Sequence, residues 1–359
     1  MGKIYEWQCQ IGLKLLINTL PVRRDFFMKY CKICGLPESY HGIQFDEKGV
    51  CNYCNFYETH RETLENKEYR KKIFEEEIEK AKKKAAENGS AYDCVVGFSG
   101  GKDSTYIIWQ MKNVYKLRVL AITFQNGFHT EYGRSNIETS LQQLNVEHLT
   151  VRMQEEELRK VCRKSVKILK NFCAVCFHYM HYYCHQIAGA MGIPLIVNGR
   201  TRGQIYQNAL SQKKIEPFEL SHNLLDFEYQ MFGKLSEKLA ARGKVDYLKE
   251  VSVTSLSYFA YHDVTEEETM IFLEKELNWK RPATGVPHAD CWAHPMAENF
   301  SIRKRGYPVR TGELAVLVRI GEMTKEEAAL ELQKDMKKYS AVDPKLKEEF
   351  YDRIKGCPV

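Results

Sequence analysis

The residues best suited to chemistry form one short run, which reads Ser99-Gly100-Gly101-Lys102-Asp103-Ser104. An apolar segment, residues 95–98, precedes the run, and a helix-like segment, residues 105–112, follows it. A strand, a glycine turn and a helix in this order present backbone N–H groups and the positive end of a helix dipole to an anion. The two glycines allow close approach, the lysine adds a cation and the serines add hydroxyl donors. The run therefore predicts a phosphate site.

Four other residues form two Cys-x-x-Cys pairs near the N-terminus. Cys31 and Cys34 are separated from Cys51 and Cys54 by sixteen residues. Each pair turns two thiolates toward one point, and tetrahedral zinc takes four ligands. The pattern predicts a zinc ribbon, and its closed coordination makes the zinc structural.

A second group of cysteines and histidines lies in one aromatic-rich stretch, residues 171–185. Cys173 and Cys176 can face one ligand from the start of a helix, and His181 and His185 stand one helical turn apart, which is compatible with a metal. Because tyrosines and phenylalanines fill the same stretch, we favour a packed aromatic helix in which the histidines are incidental.

Apolar runs at 117–124, 146–151 and 193–197 predict three strands beside the one at 95–98. In an open α/β sheet, ligands bind beyond the carboxyl ends of the strands. The residues that end or follow these strands are therefore candidate nucleotide contacts, namely Thr123, Phe124, Asn126 and Gly199.

Two loops carry polar residues suited to a substrate. The Gly-rich loop at 198–204 holds Arg200 and Arg202, which suit phosphate or another anion. A Pro-bounded loop at 285–295 crowds together His288, Asp290 and Cys291. Titratable residues gathered in a loop indicate a site more than a fold element.

These signals predict an α/β fold with a parallel sheet. Capping boxes at Thr265 and Thr324 each open a helix in the C-terminal part. The predicted organisation is a helix at 1–28, the zinc ribbon at 29–58, a connecting helix at 59–90, a nucleotide-binding domain at 91–235 and a helical substrate region at 236–359.

Composition limits the partners and the compartment. The 359 residues carry a net charge of +6, and the charges are interleaved, so nucleic acid is not the expected partner. No apolar run approaches the ~20 residues of a membrane span. Without an export signal, the twelve cysteines indicate the reducing cytoplasm and metal or redox chemistry rather than disulfides.

The run Ser99 to Ser104, placed after an apolar strand, resembles the PP-loop of the ATP-pyrophosphatase superfamily. It is neither a Walker A loop nor a Gly-x-Gly-x-x-Gly fingerprint. The resemblance implies a site that grips the β,γ-pyrophosphate of ATP as a leaving group. The α-phosphate is left open, so a substrate oxygen becomes adenylated and AMP is released.

A wider resemblance reaches from about residue 30 to 335. The two cysteine pairs, the block Asp93 to Ser104, the segment His288 to Cys291 and the segment Gly321 to Ala328 together are similar to the N-acetyl sugar amidotransferase family of bacterial surface-polysaccharide (lipopolysaccharide O-antigen) biosynthesis. One departure is visible, since Arg200 stands where an acidic residue is expected beside Gly199.

This second resemblance implies that ATP adenylates the oxygen of a sugar N-acetyl group and that ammonia then displaces AMP. The ammonia would come from a separate glutaminase subunit and a cyclase-like partner. Lys102 and Mg²⁺ would carry the charge on pyrophosphate, and Asp103 would position the Mg²⁺ or the loop. His288 or Asp290 would take the proton shed by ammonia. Arginines would hold an anionic part of the sugar or nucleotide sugar, with Arg200, Arg202 and Arg303 as candidates.

A rival resemblance rests on three other cysteines. A PP-loop followed by Cys173, Cys176 and a distant Cys291 is similar to iron–sulfur tRNA thiolation enzymes. There, three thiolates hold a [4Fe-4S] cluster, and sulfide completes the reaction in place of ammonia. The two alternatives overlap if a sugar enzyme keeps a cluster.

Overall fold

The computed structural model describes residues 29–169, 172–209, 253–281 and 290–355. The predicted helix at 1–28 lies outside these residues. The strands are β1 (Cys94–Gly97), β2 (Val119–Phe124), β3 (Glu147–Val151), β4 (Leu195–Asn198) and β5 (Thr254–Ser257). The helices are α1 (Asn52–Glu65), α2 (Lys67–Glu87), α3 (Lys102–Trp109, continued by a π-helical turn, Gln110–Val114), α4 (Glu131–Leu144), α5 (Glu155–Leu169), α6 (Cys173–Ala190), α7 (Arg202–Ala209), α8 (Tyr258–Tyr261), α9 (Glu266–Leu277), α10 (His294–Arg305), α11 (Thr311–Arg319), α12 (Lys325–Tyr339) and α13 (Pro344–Lys355).

The five strands form one parallel sheet in the order β3-β2-β1-β4-β5. The chain builds one side of the sheet through β2 and β3, then returns to β4 and β5 on the other side of β1. The strand order therefore reverses between β1 and β4. At such a switch point the connections leave in opposite directions and open a crevice at the carboxyl edge. The predicted α/β parallel-sheet fold is confirmed.

The buried strands explain why the sheet forms here. Every residue of β2 and β4 is buried, and so are the first three of β1, because helices cover both faces. β3 lies at the edge, and its residues are exposed or half-buried. The four predicted strands are all present.

The fifth strand, β5, was not predicted, and it lies inside the region expected to be helical. Its sequence, Thr-Ser-Leu-Ser, is too polar to suggest a buried strand. The structure satisfies those hydroxyls across the sheet: Ser257 donates to Asn198 Oδ1 at 2.8 Å, and Asn198 Nδ2 donates to Ser255 Oγ at 3.4 Å. Only the pairing with β4 makes this polar segment a strand.

The helices predicted within the described residues are present, with one difference. Both capping boxes are confirmed at the starts of α9 and α12. The single connecting helix expected at 59–90 is instead two helices. The first starts inside the cysteine ribbon, at Asn52, and the chain breaks at Asn66, whose side chain caps α2 by accepting from Tyr69 N. Among the described residues, no helix is long and apolar enough to cross a membrane.

The cysteine ribbon packs against the C-terminal helices rather than standing apart. Lys325 Nζ, at the start of α12, donates to Lys32 O at 3.2 Å, and the rings of Tyr40 and Tyr307 lie 5.3 Å apart. The N-terminal ribbon is therefore anchored to the C-terminal part of the chain.

Candidate functional site

The predicted phosphate loop joins β1 to α3 at the switch point of the sheet. Gly100 takes a left-handed conformation with a φ of 76°. The loop is braced by its own hydroxyls: Ser104 Oγ donates to Gly101 O at 3.1 Å, and Ser99 Oγ accepts from Gly101 N at 3.3 Å. Since the first N–H groups of a helix lack intrahelical acceptors, the start of α3 offers donors to an anion.

The two charged residues of the loop hold each other. Lys102 Nζ lies 3.0 Å from Asp103 Oδ2 and 3.5 Å from Glu266 Oε1 of α9. Burial lowers the pKa of Lys102, but the two carboxylates outweigh burial and the pKa is raised, so Lys102 stays a cation. Glu266 was not singled out from the sequence, where it reads only as the first helical residue after a capping threonine.

The residues that end β2 are packed inside the protein. Thr123 Oγ1 donates to Phe98 O at 2.7 Å, and His148 Nε2 lies 2.8 Å from the same hydroxyl. Because a hydroxyl has one proton, His148 must be the donor in that second bond. The Phe124 ring stacks on Tyr179 at 6.0 Å. The side chains of Thr123 and Phe124 thus serve the core, and their contact with adenosine stays a prediction.

The loop after β4 approaches the phosphate loop closely. A Cβ on Gly199 would lie 3.1 Å from Asp103 Cβ, so the two loops touch at a glycine. Arg200 is buried, with its guanidinium 5.3 Å from the Phe177 ring. Arg202 is also buried and is paired with carboxylates, including Asp263 at 3.0 Å. The predicted role of Arg202 in holding an anionic sugar is therefore not favoured by its contacts.

The Pro-bounded loop also reaches this edge of the sheet. His288 lies outside the described residues. Asp290 O accepts a hydrogen bond from Thr130 N, the N-cap of α4, at 2.9 Å. A Cβ on Gly133 of α4 would lie 3.2 Å from Asp290 Cα, and one on Gly100 would lie 2.8 Å from Gly133 O. Gly133, in the first turn of α4, thus lies between Asp290 and the phosphate loop. Arg303 is exposed on α10.

The three cysteines of the rival hypothesis come together at the same edge. α6 precedes β4 and packs on the sheet, so its first residue, Cys173, lies at the carboxyl ends of the strands. Cys176 Sγ accepts a hydrogen bond from Asn126 Nδ2 at 3.1 Å, just beyond β2. Cys291 pairs its backbone with His129.

The thiols are close enough to act on one another. Burial raises the pKa of Cys173 well above its ordinary value, and the thiolates of Cys291 and Cys176 raise it further. Burial likewise raises the pKa of Cys176 to about 12. Burial thus favours the protonated thiols, and a metal bound there would be needed to hold them as thiolates.

The histidines on α6 are core residues. His178, His181 and His185 are all buried, and burial lowers the pKa of His178 and of His185 to about 4. The ring of His181 lies 4.7 Å from that of Phe177. This is the aromatic helix favoured from the sequence.

The four N-terminal cysteines form a compact, buried cluster. Their sulfurs all lie within 4.8 Å of one another, and no other group of described residues brings three histidine, cysteine or acidic ligand atoms so close. Cys31 and Cys54 are 3.7 Å apart at Sγ, as are Cys34 and Cys51.

These distances fit one tetrahedral ion. Zinc bound at about 2.3 Å to four sulfurs places the sulfurs about 3.8 Å apart. A cubane cluster binds each thiolate at a different iron, so its thiolates stand roughly 6 Å apart. The N-terminal set therefore suits zinc and is too compact for a [4Fe-4S] cluster. Its Arg319 neighbour from α11, with Nη2 3.7 Å from Cys34 Sγ, was not predicted.

Comparison with known proteins bears on the phosphate loop first. Residues 93–170 match the family model of the queuosine biosynthesis protein QueC. The match covers β1, the phosphate loop and the strands to β3, and it supports the PP-loop ATP-pyrophosphatase superfamily predicted from the sequence. The match does not confirm the predicted membership of the N-acetyl sugar amidotransferase family.

Over 313 residues the chain is similar to the uncharacterized protein MJ1599 of Methanocaldococcus jannaschii, with 22% identity, covering 87% of this chain and 92% of that protein. Among solved structures, it is similar to the U34-tRNA thiolase NcsA of Methanococcus maripaludis with its [4Fe-4S] cluster, with 15% identity, 89% and 90% coverage and a TM-score of 0.38. The NH3-dependent NAD synthetase of Campylobacter jejuni gives 16% identity, 80% and 93% coverage and a TM-score of 0.34. Both TM-scores lie below 0.5, so neither likeness decides the reaction.

Proposed function

We propose that this protein is an AMP-forming, ATP-dependent amidotransferase that converts the N-acetyl group of a sugar into an acetamidino group, in the biosynthesis of surface polysaccharide. The observation that carries the proposal is the Ser-Gly-Gly-Lys-Asp-Ser loop at the switch point of a parallel sheet, with Gly199 and the Asp290 segment beside it. The loop suits pyrophosphate. The acceptor sugar would bind at the same edge of the sheet, next to Gly199 and the Asp290 segment.

The chemistry needs no covalent nucleophile from the protein. The amide oxygen of the sugar attacks the α-phosphate of ATP, and pyrophosphate leaves. Ammonia then adds to the activated carbon, and AMP leaves with the former amide oxygen. The protein contributes alignment of the amide with the α-phosphate and stabilisation of the charge that develops on the leaving groups.

Named residues take the parts that this chemistry requires. Lys102, kept cationic by its neighbours, transfers its ion pair from Asp103 and Glu266 to the pyrophosphate. The carboxylate of Asp103 is then available to Mg²⁺, which when bound neutralises phosphate charge. Asp290 or His288 accepts the proton from ammonia.

The proposed partners follow from the second step. Free ammonia is scarce near neutral pH because the ammonium ion predominates, so a glutaminase subunit would supply it. The cyclase-like partner is what the resemblance to the sugar amidotransferase family implies. The acceptor is an N-acetylated sugar or its nucleotide-linked form, and the reaction would take place in the cytoplasm.

The first test concerns the bond that is broken in ATP. With ATP, ammonium and the sugar acceptor, the products should be AMP and pyrophosphate, and Lys102→Ala should reduce turnover at least a hundredfold, because charge stabilisation in such sites is large. Lys160→Ala, an exposed lysine on α5, is the matched control and should be fully active. Formation of ADP and phosphate would show that the PP-loop assignment is wrong.

The second test identifies the attacking group by the mass of the product. Replacement of the amide oxygen by NH lowers the mass by about 1 Da, whereas replacement by sulfur raises it by about 16 Da, since the amide oxygen leaves in both cases. The lighter sugar supports amidotransfer. A heavier product, or sulfur appearing in tRNA with no change in any sugar, contradicts it.

The second candidate function is PP-loop sulfur transfer, which the gathering of Cys173, Cys176 and Cys291 at the same edge favours. These three would hold a [4Fe-4S] cluster, which would supply a site for sulfide. Anaerobically purified protein should then show a brown visible spectrum with iron and sulfide. Cys291→Ser should lose both, while Cys184→Ser, a buried thiol on α6, should keep them. Product mass still decides the reaction, because a sugar enzyme with a cluster has the same spectrum.

A further inference from the structure

A tryptophan from the C-terminal part of the chain reaches the phosphate loop. Trp279 Nε1 donates a hydrogen bond to Gly100 O at 3.1 Å, across 179 residues of sequence. Trp279 as a whole is 5% exposed, so the bond is shielded from water. No sequence pattern marks this residue, because it follows α9 in a stretch without a recognisable motif.

Local structure holds the indole in place from both sides. α9 ends at Asn278 in a left-handed conformation, and Trp279 N then donates to Leu273 O at 3.2 Å. The next residue, Lys280, is bonded at both backbone groups to the buried side chain of Asn136 on α4, at 3.2 and 3.4 Å. The tryptophan is therefore not free to follow the loop if the loop changes shape.

Because the peptide group is planar, the hydrogen bond from Trp279 to Gly100 O also determines the direction of the Gly101 N–H. In a trans peptide the C=O of one residue and the N–H of the next point in opposite directions. Fixing the Gly100 carbonyl on Trp279 therefore turns the Gly101 N–H to the other side, where Ser99 Oγ accepts it at 3.3 Å. A phosphate oxygen bound on that side would share the Gly101 N–H with Ser99 Oγ or take its place as the acceptor.

We infer that Trp279 is a positioning residue of the phosphate loop. Its indole N–H holds the Gly100–Gly101 peptide in the orientation that offers the Gly101 N–H to the pyrophosphate of ATP, an inference that rests on the proposed use of ATP. An indole suits the role because it only donates, and the Gly100 carbonyl only accepts. Without the indole N–H the buried carbonyl would have no hydrogen-bond donor among the residues that the structure describes, and rotation of the peptide would become favourable.

The test compares two tryptophans that border α9. Trp279→Phe keeps an aromatic ring and removes the N–H. Trp109→Phe is the matched control, because Trp109 packs on Phe272 at 4.6 Å and is the last residue of α3, at the opposite end of that helix from the loop. We expect Trp279→Phe to bind both ATP and inorganic pyrophosphate about fivefold more weakly by calorimetry, the loss typical of one hydrogen bond. Trp109→Phe should bind both ligands like the wild type.

A second measurement covers the case in which the variant fails to fold. In the wild-type protein, saturating pyrophosphate should shift the ¹⁵N–¹H resonance of the Trp279 indole and leave that of Trp109 in place. An unmoved Trp279 resonance, or equal affinities in the wild type and Trp279→Phe, would overturn the inference while leaving the proposed function intact. A wild-type protein that binds neither ATP nor pyrophosphate would overturn both.

Discussion

Gly100 illustrates how much a single residue of this site must satisfy. Its φ of 76° is one that side chains rarely adopt, and a Cβ there would lie 2.6 Å from Ile137 Cγ1 and 2.8 Å from Gly133 O. One of those neighbours is backbone on α4, which cannot turn aside as a flexible side chain can. The position therefore excludes any other residue on two independent grounds.

We expect Gly100→Ala to lower the free energy of unfolding by about 3 kcal/mol, combining the cost of a left-handed alanine with that of the overlap, and to abolish ATP binding. Thermal unfolding and calorimetry with ATP measure the two effects. Gly306→Ala is the control: its φ is 83°, yet a Cβ there meets nothing within 4 Å. That variant should lose only about 1 kcal/mol and bind ATP normally. Equal losses in the two variants would mean that the α4 contact is unimportant.

At the scale of elements, β1 depends on an ion pair at its start. Arg118 donates to Asp93 through Nη2 at 2.6 Å and Nε at 3.1 Å, and its backbone N donates to the same carboxylate at 2.7 Å. Asp93 is almost fully buried, and burial raises its pKa, but Arg118 outweighs burial and holds the pKa below its ordinary value. The pair joins the start of β1 to the start of β2. It therefore helps to fix the position of β1, and with it the position of the phosphate loop that follows β1.

A carboxyl whose pKa is depressed by folding stabilises the protein above its unfolded pKa and loses that effect as the pH falls through its folded pKa. Asp93→Asn should therefore lower the unfolding free energy by about 1 to 2 kcal/mol at pH 7, since Arg118 is half exposed. The difference from the wild type should shrink below about pH 4. Denaturant titrations from pH 7 to pH 3 give the curve. Glu138→Gln, an exposed change on α4, should show no such trend, and a difference independent of pH would contradict the ion-pair account.

At the scale of the whole molecule, Arg319 joins helix α11 of the C-terminal part to the N-terminal cysteine ribbon. Four thiolates and one Zn²⁺ carry a net charge of about −2, which is costly inside a protein. Arg319 is itself buried, its guanidinium lies 5.6 Å from the Tyr53 ring, and Nη2 reaches Cys34. The arginine of α11 thus supplies a counter-charge to the ribbon. At the other end of α11, Glu313 Oε1 accepts from Thr201 beside the loop after β4 at 2.8 Å.

Replacing Arg319 by Met keeps the volume and removes the charge. We expect one zinc per chain in the wild type by elemental analysis and release of zinc to a chromogenic chelator about tenfold faster in Arg319→Met, because the buried anionic site loses its neighbour. Arg310→Met, at the start of α11 and paired with Asp335, is the control and should release zinc at the wild-type rate. Unchanged release from Arg319→Met would show that the ribbon holds its metal without help from α11.

Local sequence alone predicted the parallel sheet, the phosphate loop, the four-cysteine ribbon and both capping boxes. Each of these depends on residues within a few positions of one another, or on two short motifs whose chemistry allows one arrangement. A glycine pair followed by Lys-Asp-Ser, or two Cys-x-x-Cys pairs, restricts the backbone without reference to the rest of the chain. The same is true of Thr265 and Thr324, whose partners lie three residues away.

Only the tertiary structure determined the features that depend on residues far apart in the sequence. The polar strand β5 exists because Asn198 satisfies its serines, and Thr123 became a core residue because Phe98 O lies beside it. The hydrogen bonds of Trp279 to Gly100 and of Arg319 to Cys34 join residues that lie 179 and 285 positions apart in the sequence. A long-range contact of this kind leaves no periodicity or spacing in the sequence, because the residues between the partners are free to vary while the fold brings the two ends together.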